Sequence, residues 1–303
     1  MGTIGKRQIA VLDAPSNLGL RPPAKGAVPG VYKLPWALRR HRLIERLGAI
    51  DAGAVVPPRY LSQWTPGIVR NQEAIDAYSH ALAKRLAELR QRGVFPLVLG
   101  GDCSIILGNL LALRQEGRFG LAYIDGHSDF RHPGNSDRVG AAAGEDLALL
   151  TGRGHALARL DPRGPLVRDD DVVAIGMRAN DDYVAEMRTA GIQVFDVDDL
   201  RKDLDQALGK IVGLLERDQL NGFWLHLDVD VLDAEIMPAV DSPDPGGLTW
   251  PELDRILQEL GRSPTIAGME LTIFDPDLDP SGSLAADLTD HLTKTITPFA
   301  PNQ

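Results

Sequence analysis

Short apolar runs alternate with amphipathic segments along almost the whole chain, and this alternation limits the possible folds more than any other feature. It is typical of a parallel sheet whose strands are joined by crossover helices, so it predicts an α/β protein. The strand candidates are 7–14 (RQIAVLDA), 95–100 (FPLVLG), 119–125 (FGLAYID), 171–177 (DVVAIGM), 191–197 (GIQVFDV), 222–230 (GFWLHLDVD) and 265–274 (TIAGMELTIF).

Helical spacing of apolar residues predicts helices over 71–92, 200–217 and 250–260. Gly93 would end the first helix, and Thr249 would cap the third at its N-terminus. The Pro- and Gly-rich stretches at 20–31, 132–144 and 237–247 indicate long loops within a domain, which are usually functional. We therefore expect a single domain over residues 1–303.

Composition excludes several classes of protein. The 303 residues include one cysteine, so an internal disulfide is impossible and a reducing cytoplasm is the expected location. The formal charge of −10 argues against nucleic acid as a partner, because phosphates attract basic surfaces. No run approaches the roughly 20 apolar residues that a membrane helix needs. The apolar stretch near the first residues is too short for a secretion signal.

Polar clusters follow three of the predicted strands. Residues 100–103 (GGDC), 125–129 (DGHSD) and 228–230 (DVD) each come directly after an apolar run. In doubly wound sheets ligands bind at the carboxyl ends of the strands, where all three clusters would lie.

These clusters carry the side chains that bind transition metals. Period-2 geometry would put Asp125, His127 and Asp129 on one face if the chain stayed extended, and likewise Asp228 and Asp230. Several carboxylates at one place repel each other unless a cation neutralises them, and a histidine with carboxylates suits Mn²⁺, Zn²⁺ or Fe²⁺ better than Ca²⁺. There are too many carboxylates for one ion, so the pattern predicts two. The alternative is that these are polar loop residues that cap helices.

The order GGDCS, DGHSD, LDVDVLD and ELTIFDPDLDPSG resembles the arginase–agmatinase family of ureohydrolases, and the similarity extends over nearly the whole chain. The resemblance implies a three-layer α/β/α sandwich with a mostly parallel central sheet, assembled as a trimer or hexamer. It also implies two Mn²⁺ ions that hydrolyse a guanidino or related amidino group.

By that resemblance the metal ligands are Cys103, Asp125, His127, Asp129, Asp228 and Asp230. Asp125 and Asp228 would bridge the ions. Cys103 and Asp129 would complete one site, and His127 and Asp230 the other. Asp129 would also act in catalysis by orienting the hydroxide that attacks the substrate.

Cys103 stands where the family pattern GGDHS has its first metal-binding histidine. A thiolate is a legitimate ligand and is softer than imidazole, so it could favour Zn²⁺ or Fe²⁺ over Mn²⁺. The alternative is a small buried apolar residue at a tight turn.

Two further departures concern the substrate. Ile273 occupies the position of the glutamate that grips the guanidinium in the family, and Glu270 lies on the opposite strand face. The stretch 139–145 lacks the histidine that arginases use as a proton shuttle. Arg131 and Asp181 match positions that contact the substrate in arginases. Arg131 would suit the carboxylate of an amino acid, and Asp181 its ammonium group. The alternative is that they are a solvated loop arginine and a helix-capping aspartate.

In an extended strand His226 would point to the same face of the sheet as Asp228 and Asp230, and it lies two residues further from the carboxyl end of the strand than Asp228. It could orient a metal ligand or be a satisfied core histidine.

The sequence thus predicts a binuclear metal hydrolase of a C–N bond in a linear amidine. Because Ile273 replaces the glutamate, a modified guanidino compound such as N-hydroxyarginine or a guanidino acid is expected rather than arginine or agmatine. Two alternatives are open: a non-catalytic metal-binding or interaction protein, and a metallohydrolase of another substrate class.

Overall fold

The computed structural model describes residues 7–296, and its centre is one eight-stranded sheet in which every strand pairing is parallel. The strands are β1 (Ile9–Asp13), β2 (Ile50–Ala54), β3 (Phe95–Leu99), β4 (Gly120–Ile124), β5 (Val172–Ile175), β6 (Gln193–Phe195), β7 (Phe223–Asp228) and β8 (Ile266–Thr272). Residues 1–6, which belong to the segment considered for a secretion signal, and 297–303 lie outside the described residues.

The strand order is β2-β1-β3-β8-β7-β4-β5-β6. The chain builds one half of the sheet, crosses to build the other half, and returns to fill the middle with β7 and β8. As a result β3, β8, β7 and β4 are consecutive neighbours at the centre, although they are far apart in sequence. Their carboxyl ends therefore meet at one edge of the sheet.

Helices cover both faces of the sheet. They are α1 (Leu34–Arg40), α2 (Leu43–Leu47), α3 (Gln72–Gln91), α4 (Ile106–Glu116), α5 (Asp146–Leu150), α6 (Val184–Ala190), α7 (Val197–Lys202), α8 (Leu204–Leu215), α9 (Trp250–Gly261) and α10 (Ser283–Ile296). Helices α1, α2 and α7 to α10 contribute to one apolar core, and α3 to α6 contribute to the other. Alternate residues of β1 belong to opposite cores, as strand geometry requires. The predicted three-layer α/β/α sandwich is confirmed.

Two local predictions were wrong or incomplete. The segment 200–217 is two helices, because Asp203 is extended and its side chain accepts a hydrogen bond from Gln206 N to begin α8. Strand β2 was not predicted, since it lies at the edge of the sheet and is mostly exposed, so it lacks an apolar run.

Within residues 7–296, no helix is both long enough and apolar enough to span a membrane.

Candidate metal centre

The turn after β3 brings Cys103 to the centre of the sheet edge. A Cβ on Gly101 would come within 1.7 Å of Ser16 O, so only glycine allows this close backbone approach. Asp102 then caps the following turn, accepting hydrogen bonds from Ser104 N (2.9 Å) and from Ser16 Oγ (2.7 Å). The GGDC sequence therefore holds Cys103 rigidly at the start of the helical segment that leads into α4.

An inner group of possible ligands contains Cys103, Asp125, His226 and Asp228. One ligand atom from each lies within 4.8 Å of the others, and all four residues are buried. The Cys103 thiol donates to Asp228 Oδ2 at 2.8 Å and contacts Thr272 Oγ1 at 3.3 Å. Cys103 follows β3, Asp125 follows β4, and His226 and Asp228 belong to β7, so the sheet order assembles the group.

An outer group contains Asp125, His127 and Asp230. His127 Nδ1 lies 2.9 Å from Asp230 Oδ2, and its Nε2 lies 3.1 Å from Asp244 Oδ2. Asp125 belongs to both the inner and the outer group. Asp228, which the family resemblance also assigns as a bridge, belongs to the inner group.

A third group joins Cys103, Asp129 and Asp146. Asp129 has a positive φ of 43°, which turns the chain at the end of the DGHSD segment. Asp146 is fully buried at the first position of α5, and its Oδ1 accepts a hydrogen bond from Tyr123 Oη at 2.8 Å. Asp146 was not predicted from the sequence, where its only signal is a carboxylate at the start of the apolar run LALL.

The acidic segments do not stay extended, so the condition for grouping these residues by strand alternation is not met. Asp125 Oδ1 accepts a hydrogen bond from His127 N at 2.6 Å, and Asp228 Oδ1 accepts one from Asp230 N at 2.8 Å. Each aspartate thus folds its own chain into a turn, as aspartates at strand ends often do. The side chains converge through these turns rather than through strand alternation.

Burial shifts the protonation of the cluster strongly. It raises the pKa of Asp125 to about 7, and the nearby charge of Asp230 adds to the effect. It raises the pKa values of Asp129, Asp228 and Cys103 well above their usual ranges. Each shift reflects the cost of placing another negative charge in this buried cluster, a cost that a bound cation removes.

His127 is the exception in the outer group. Burial acts to lower its pKa, but the charge and hydrogen bond of Asp230 outweigh burial and raise that pKa to about 11. The charge of Asp230 therefore favours the protonated form of His127. A metal ion would replace the proton.

Arg131 and Asp181 lie beside the DGHSD segment. Arg131 Nε donates to Gly144 O at 3.1 Å, and within residues 7–296 its other guanidinium N–H groups make no hydrogen bond. Asp181 Oδ2 accepts a hydrogen bond from Ser128 N at 3.0 Å, and its Oδ1 accepts one from Tyr183 N at 2.9 Å. Asp181 therefore supports the ligand loop and caps a turn, and its remaining lone pairs could still accept from a substrate.

Comparison with known proteins decides the family. Residues 26–296 match the profile of the Arginase family. The chain belongs to the arginase family. The arginase of Bacillus caldovelox is 29% identical to it over 288 residues, which cover 92% of this chain and 95% of that sequence.

Solved structures of the arginase family have the same fold. The crystal structure of arginase from Bacillus cereus matches with a TM-score of 0.84 at 27% identity, covering 98% of this chain and 100% of that one. Formimidoylglutamase from Bacillus subtilis matches with a TM-score of 0.76 at 19% identity, covering 100% of this chain and 90% of that one, a likeness of fold alone.

Within this arginase-family fold, the end of β8 is unusual. Ile273 has a φ of +75°, a conformation that β-branched residues rarely adopt, and it is buried. Glu270 is also buried, and its carboxylate is bound to His226 Nδ1 and Asn109 Nδ2. Glu270 is therefore occupied beneath the cluster, and neither residue offers a carboxylate to a guanidinium there.

Proposed function

We propose that this arginase-family chain is a binuclear metal-dependent hydrolase of a C–N bond in a linear amidine. The observation that carries the proposal is the position of Asp125, whose carboxylate belongs to both the inner and the outer ligand group. Shared carboxylates are what a pair of metal ions about 3.5–4 Å apart requires.

The six residues that would hold the ions are the ones predicted from the sequence. Cys103, Asp129 and Asp228 would hold the inner ion, His127 and Asp230 the outer ion, and Asp125 both. The family resemblance would make Asp228 a second shared ligand. When bound, a pair of divalent ions activates water at neutral pH by Lewis-acid action. Manganese is the metal that the resemblance implies. The Cys103 sulfur makes Zn²⁺ or Fe²⁺ the competing ions.

The remaining chemistry belongs to the side chains. Hydrolysis adds water at the amidino carbon, breaks its C–N bond and releases an amine that takes a proton from the water. Asp129 would accept a hydrogen bond from the attacking water and orient it. Arg131 would pair with a substrate carboxylate, and Asp181 would accept from a substrate ammonium group.

The substrate we propose is a guanidino compound other than arginine or agmatine, such as N-hydroxyarginine or an aliphatic guanidino acid. The supporting observation is that Ile273 is apolar and buried. By the family resemblance, this position is where a glutamate would bind the guanidinium. A buried donor left unpaired costs about 1–3 kcal/mol. By the same resemblance we propose a homotrimer or homohexamer in the cytoplasm, and light scattering after gel filtration would give its mass.

The competing function is a non-catalytic metal-binding or interaction protein with this fold. Ile273 also supports this competing function, because it replaces the glutamate that would accept from a guanidinium by the family resemblance. His132 and Glu145 are the polar residues nearest in sequence to where arginases carry the proton-shuttle histidine. His132 is paired with Glu186 at 3.0 Å, and Glu145 Oε1 accepts from Gly140 N and Ala141 N, so both are used structurally.

One experiment separates these functions. Protein purified without chelator would be loaded with Mn²⁺, Zn²⁺ or Fe²⁺, its metal content measured, and a panel of guanidino and amidino compounds screened for urea or ammonia release. The proposal expects about two ions per chain and turnover of a modified guanidino compound that Asp230→Asn abolishes. The exposed Asp76→Asn on α3 is the matched control.

Two ions with no turnover of any compound would favour the non-catalytic function. No bound metal after all three reconstitutions would contradict the hydrolase and leave only an interaction protein without a metal.

A further inference from the structure

His226 is a polar residue in the interior of an apolar strand. Its neighbours in β7 are Phe223, Trp224, Leu225 and Leu227, and His226 itself is fully buried. Burying an imidazole is unfavourable unless both ring nitrogens find partners. The partners of this ring therefore indicate its role.

One nitrogen of His226 is satisfied and the other is not. Nδ1 lies 2.8 Å from Glu270 Oε1, whereas Nε2 has no hydrogen-bond partner among the described residues. Nε2 lies 3.9 Å from Asp125 Oδ2, another buried atom without a partner in residues 7–296. Two unsatisfied polar atoms thus face each other beside the Cys103 sulfur.

A metal ion between these atoms would satisfy both. Zinc–nitrogen and zinc–oxygen bonds of about 2.0–2.2 Å and zinc–sulfur bonds of about 2.3 Å place tetrahedral ligands roughly 3.3–3.8 Å apart. The four ligand atoms of the inner group lie within 4.8 Å of one another, and the Cys103–Asp228 pair, at 2.8 Å, would need to open. Small side-chain shifts therefore suffice.

We propose that His226 Nε2 is a ligand of the inner metal ion and completes a tetrahedral site with Cys103, Asp125 and Asp228. His226 would take the place of Asp129 at that ion, and Asp129 would keep its role of orienting the attacking water. The proposal rests on the metal centre of the proposed function and adds a donor from inside the sheet. One sulfur, one imidazole and two carboxylates form a donor set that suits Zn²⁺, or Co²⁺ as its spectroscopic substitute, better than Mn²⁺.

The surroundings hold the ring in the orientation that ligation needs. Because the Glu270 carboxylate accepts from Nδ1–H, the lone pair is left on Nε2, which is the tautomer that a metal requires. Asn109 Nδ2 donates to the other oxygen of Glu270. The Tyr123 ring stacks on the imidazole with centroids 4.6 Å apart and an interplanar angle of 13°. With a metal ion on Nε2, Glu270 and His226 would form the carboxylate–histidine–metal arrangement that is common at metal sites.

The test is a metal titration of the full chain after removal of bound ions, with Co²⁺ and Zn²⁺ as probes. In the wild type we expect intense visible bands of tetrahedral Co²⁺ and a thiolate-to-cobalt charge-transfer band. His226→Gln should lower inner-site affinity more than about 100-fold and remove the tetrahedral bands, while the outer ion still binds. Glu270→Gln should lower affinity about 10–100-fold, the usual effect of losing a ligand's supporting partner.

His80→Gln is the matched control, because His80 lies exposed on α3. Cys103→Ser should remove the charge-transfer band. Unchanged affinity and spectrum in a folded His226→Gln protein would overturn the proposal.

A measurement on the wild type keeps the proposal testable if His226→Gln does not fold. X-ray absorption of protein loaded with one Zn²⁺ should show one sulfur at about 2.3 Å and one imidazole nitrogen at about 2.0–2.1 Å. A shell of oxygens alone would overturn it. None of these readouts involves turnover, so an inactive protein can still support the ligand and an active hydrolase can still refute it.

Discussion

At the scale of single residues, Asp125 links the two ligand groups. It is fully buried, its Oδ1 already accepts from His127 N, and its Oδ2 faces His226 Nε2 at 3.9 Å. Asp230 belongs to the outer group only. Equivalent substitutions at these two aspartates should therefore have different effects.

We predict that Asp125→Asn abolishes binding of both ions, whereas Asp230→Asn abolishes binding of one. An amide keeps the shape of the side chain but removes the charge that both ions would share. Elemental analysis after dialysis against buffered Mn²⁺ or Zn²⁺ would measure the ratio. A folded Asp125→Asn protein that keeps one ion at wild-type affinity would show that Asp125 is not shared.

Ile273 is the second residue with its own consequence. We predict that Ile273→Glu raises kcat/KM for L-arginine by about tenfold or more, because a charge-assisted hydrogen bond contributes about 1.5–3 kcal/mol. Urea release would be compared with that of Ile273→Gln, which has a similar shape without the charge and should gain much less. Equal activity of both variants, each folded and loaded with metal, would mean that this position does not meet the guanidinium.

At the scale of elements, helix α9 shows how the chain joins its outer layer. Thr249 and Glu252 form a capping box, with Thr249 N donating to Glu252 Oε2 at 2.7 Å, which confirms the predicted N-cap. Arg201 of α7 donates to Glu252 Oε1 at 2.9 Å. The hydrogen bond from Arg201, together with those from Thr249, lowers the pKa of Glu252 to about 2 despite partial burial. One carboxylate thus caps α9 and ties it to α7.

We predict that Glu252→Gln lowers the free energy of unfolding by about 1 kcal/mol at pH 7. Glutamine keeps the acceptor oxygen of the capping box but loses the negative charge that Arg201 and the helix N-terminus stabilise. The folded-state pKa lies below the ordinary value of 4.5, so this stability is fully present above pH 4.5 and is lost as pH falls toward about 2. Denaturant unfolding at pH 7, 4 and 2.5 should show the two proteins converging. A difference that is independent of pH would contradict an ionic role.

At the scale of the whole molecule, the metal centre lies where the two halves of the sheet meet. The inner group draws residues from three of the four central strands, and both apolar cores are packed against those strands. Burial raises the pKa values of Asp125 and Asp228, which means that charging them destabilises the fold while no cation is bound. Binding of metal should therefore stabilise the entire chain.

We predict that removing metal with a chelator lowers the melting temperature by several degrees, and that Mn²⁺ or Zn²⁺ restores it. A ligand present at 100 times its Kd stabilises a protein by about 2.7 kcal/mol. Ca²⁺ at the same concentration is the control and should restore less, because it prefers oxygen donors to sulfur and imidazole. Identical melting curves with and without metal would contradict a centre built from these residues.

The sequence by itself determined the fold class and the neighbourhood of the site. Apolar runs that alternate with helical spacing specify a parallel sheet, and polar clusters after three of them specify one edge of that sheet, since both signals are local. It could not specify Asp146 or the His226 nitrogen that has no partner within residues 7–296. Strand alternation groups Asp125, His127 and Asp129 only in an extended chain, and this segment turns instead.

Those features depend on contacts between distant segments. Cys103 and Asp228 are 125 residues apart, and His226 and Glu270 are 44 apart. Their pairing follows from the order β3-β8-β7-β4, which long-range packing decides. Which buried atoms find a partner, and which are left for a metal, is determined only when those strands lie side by side.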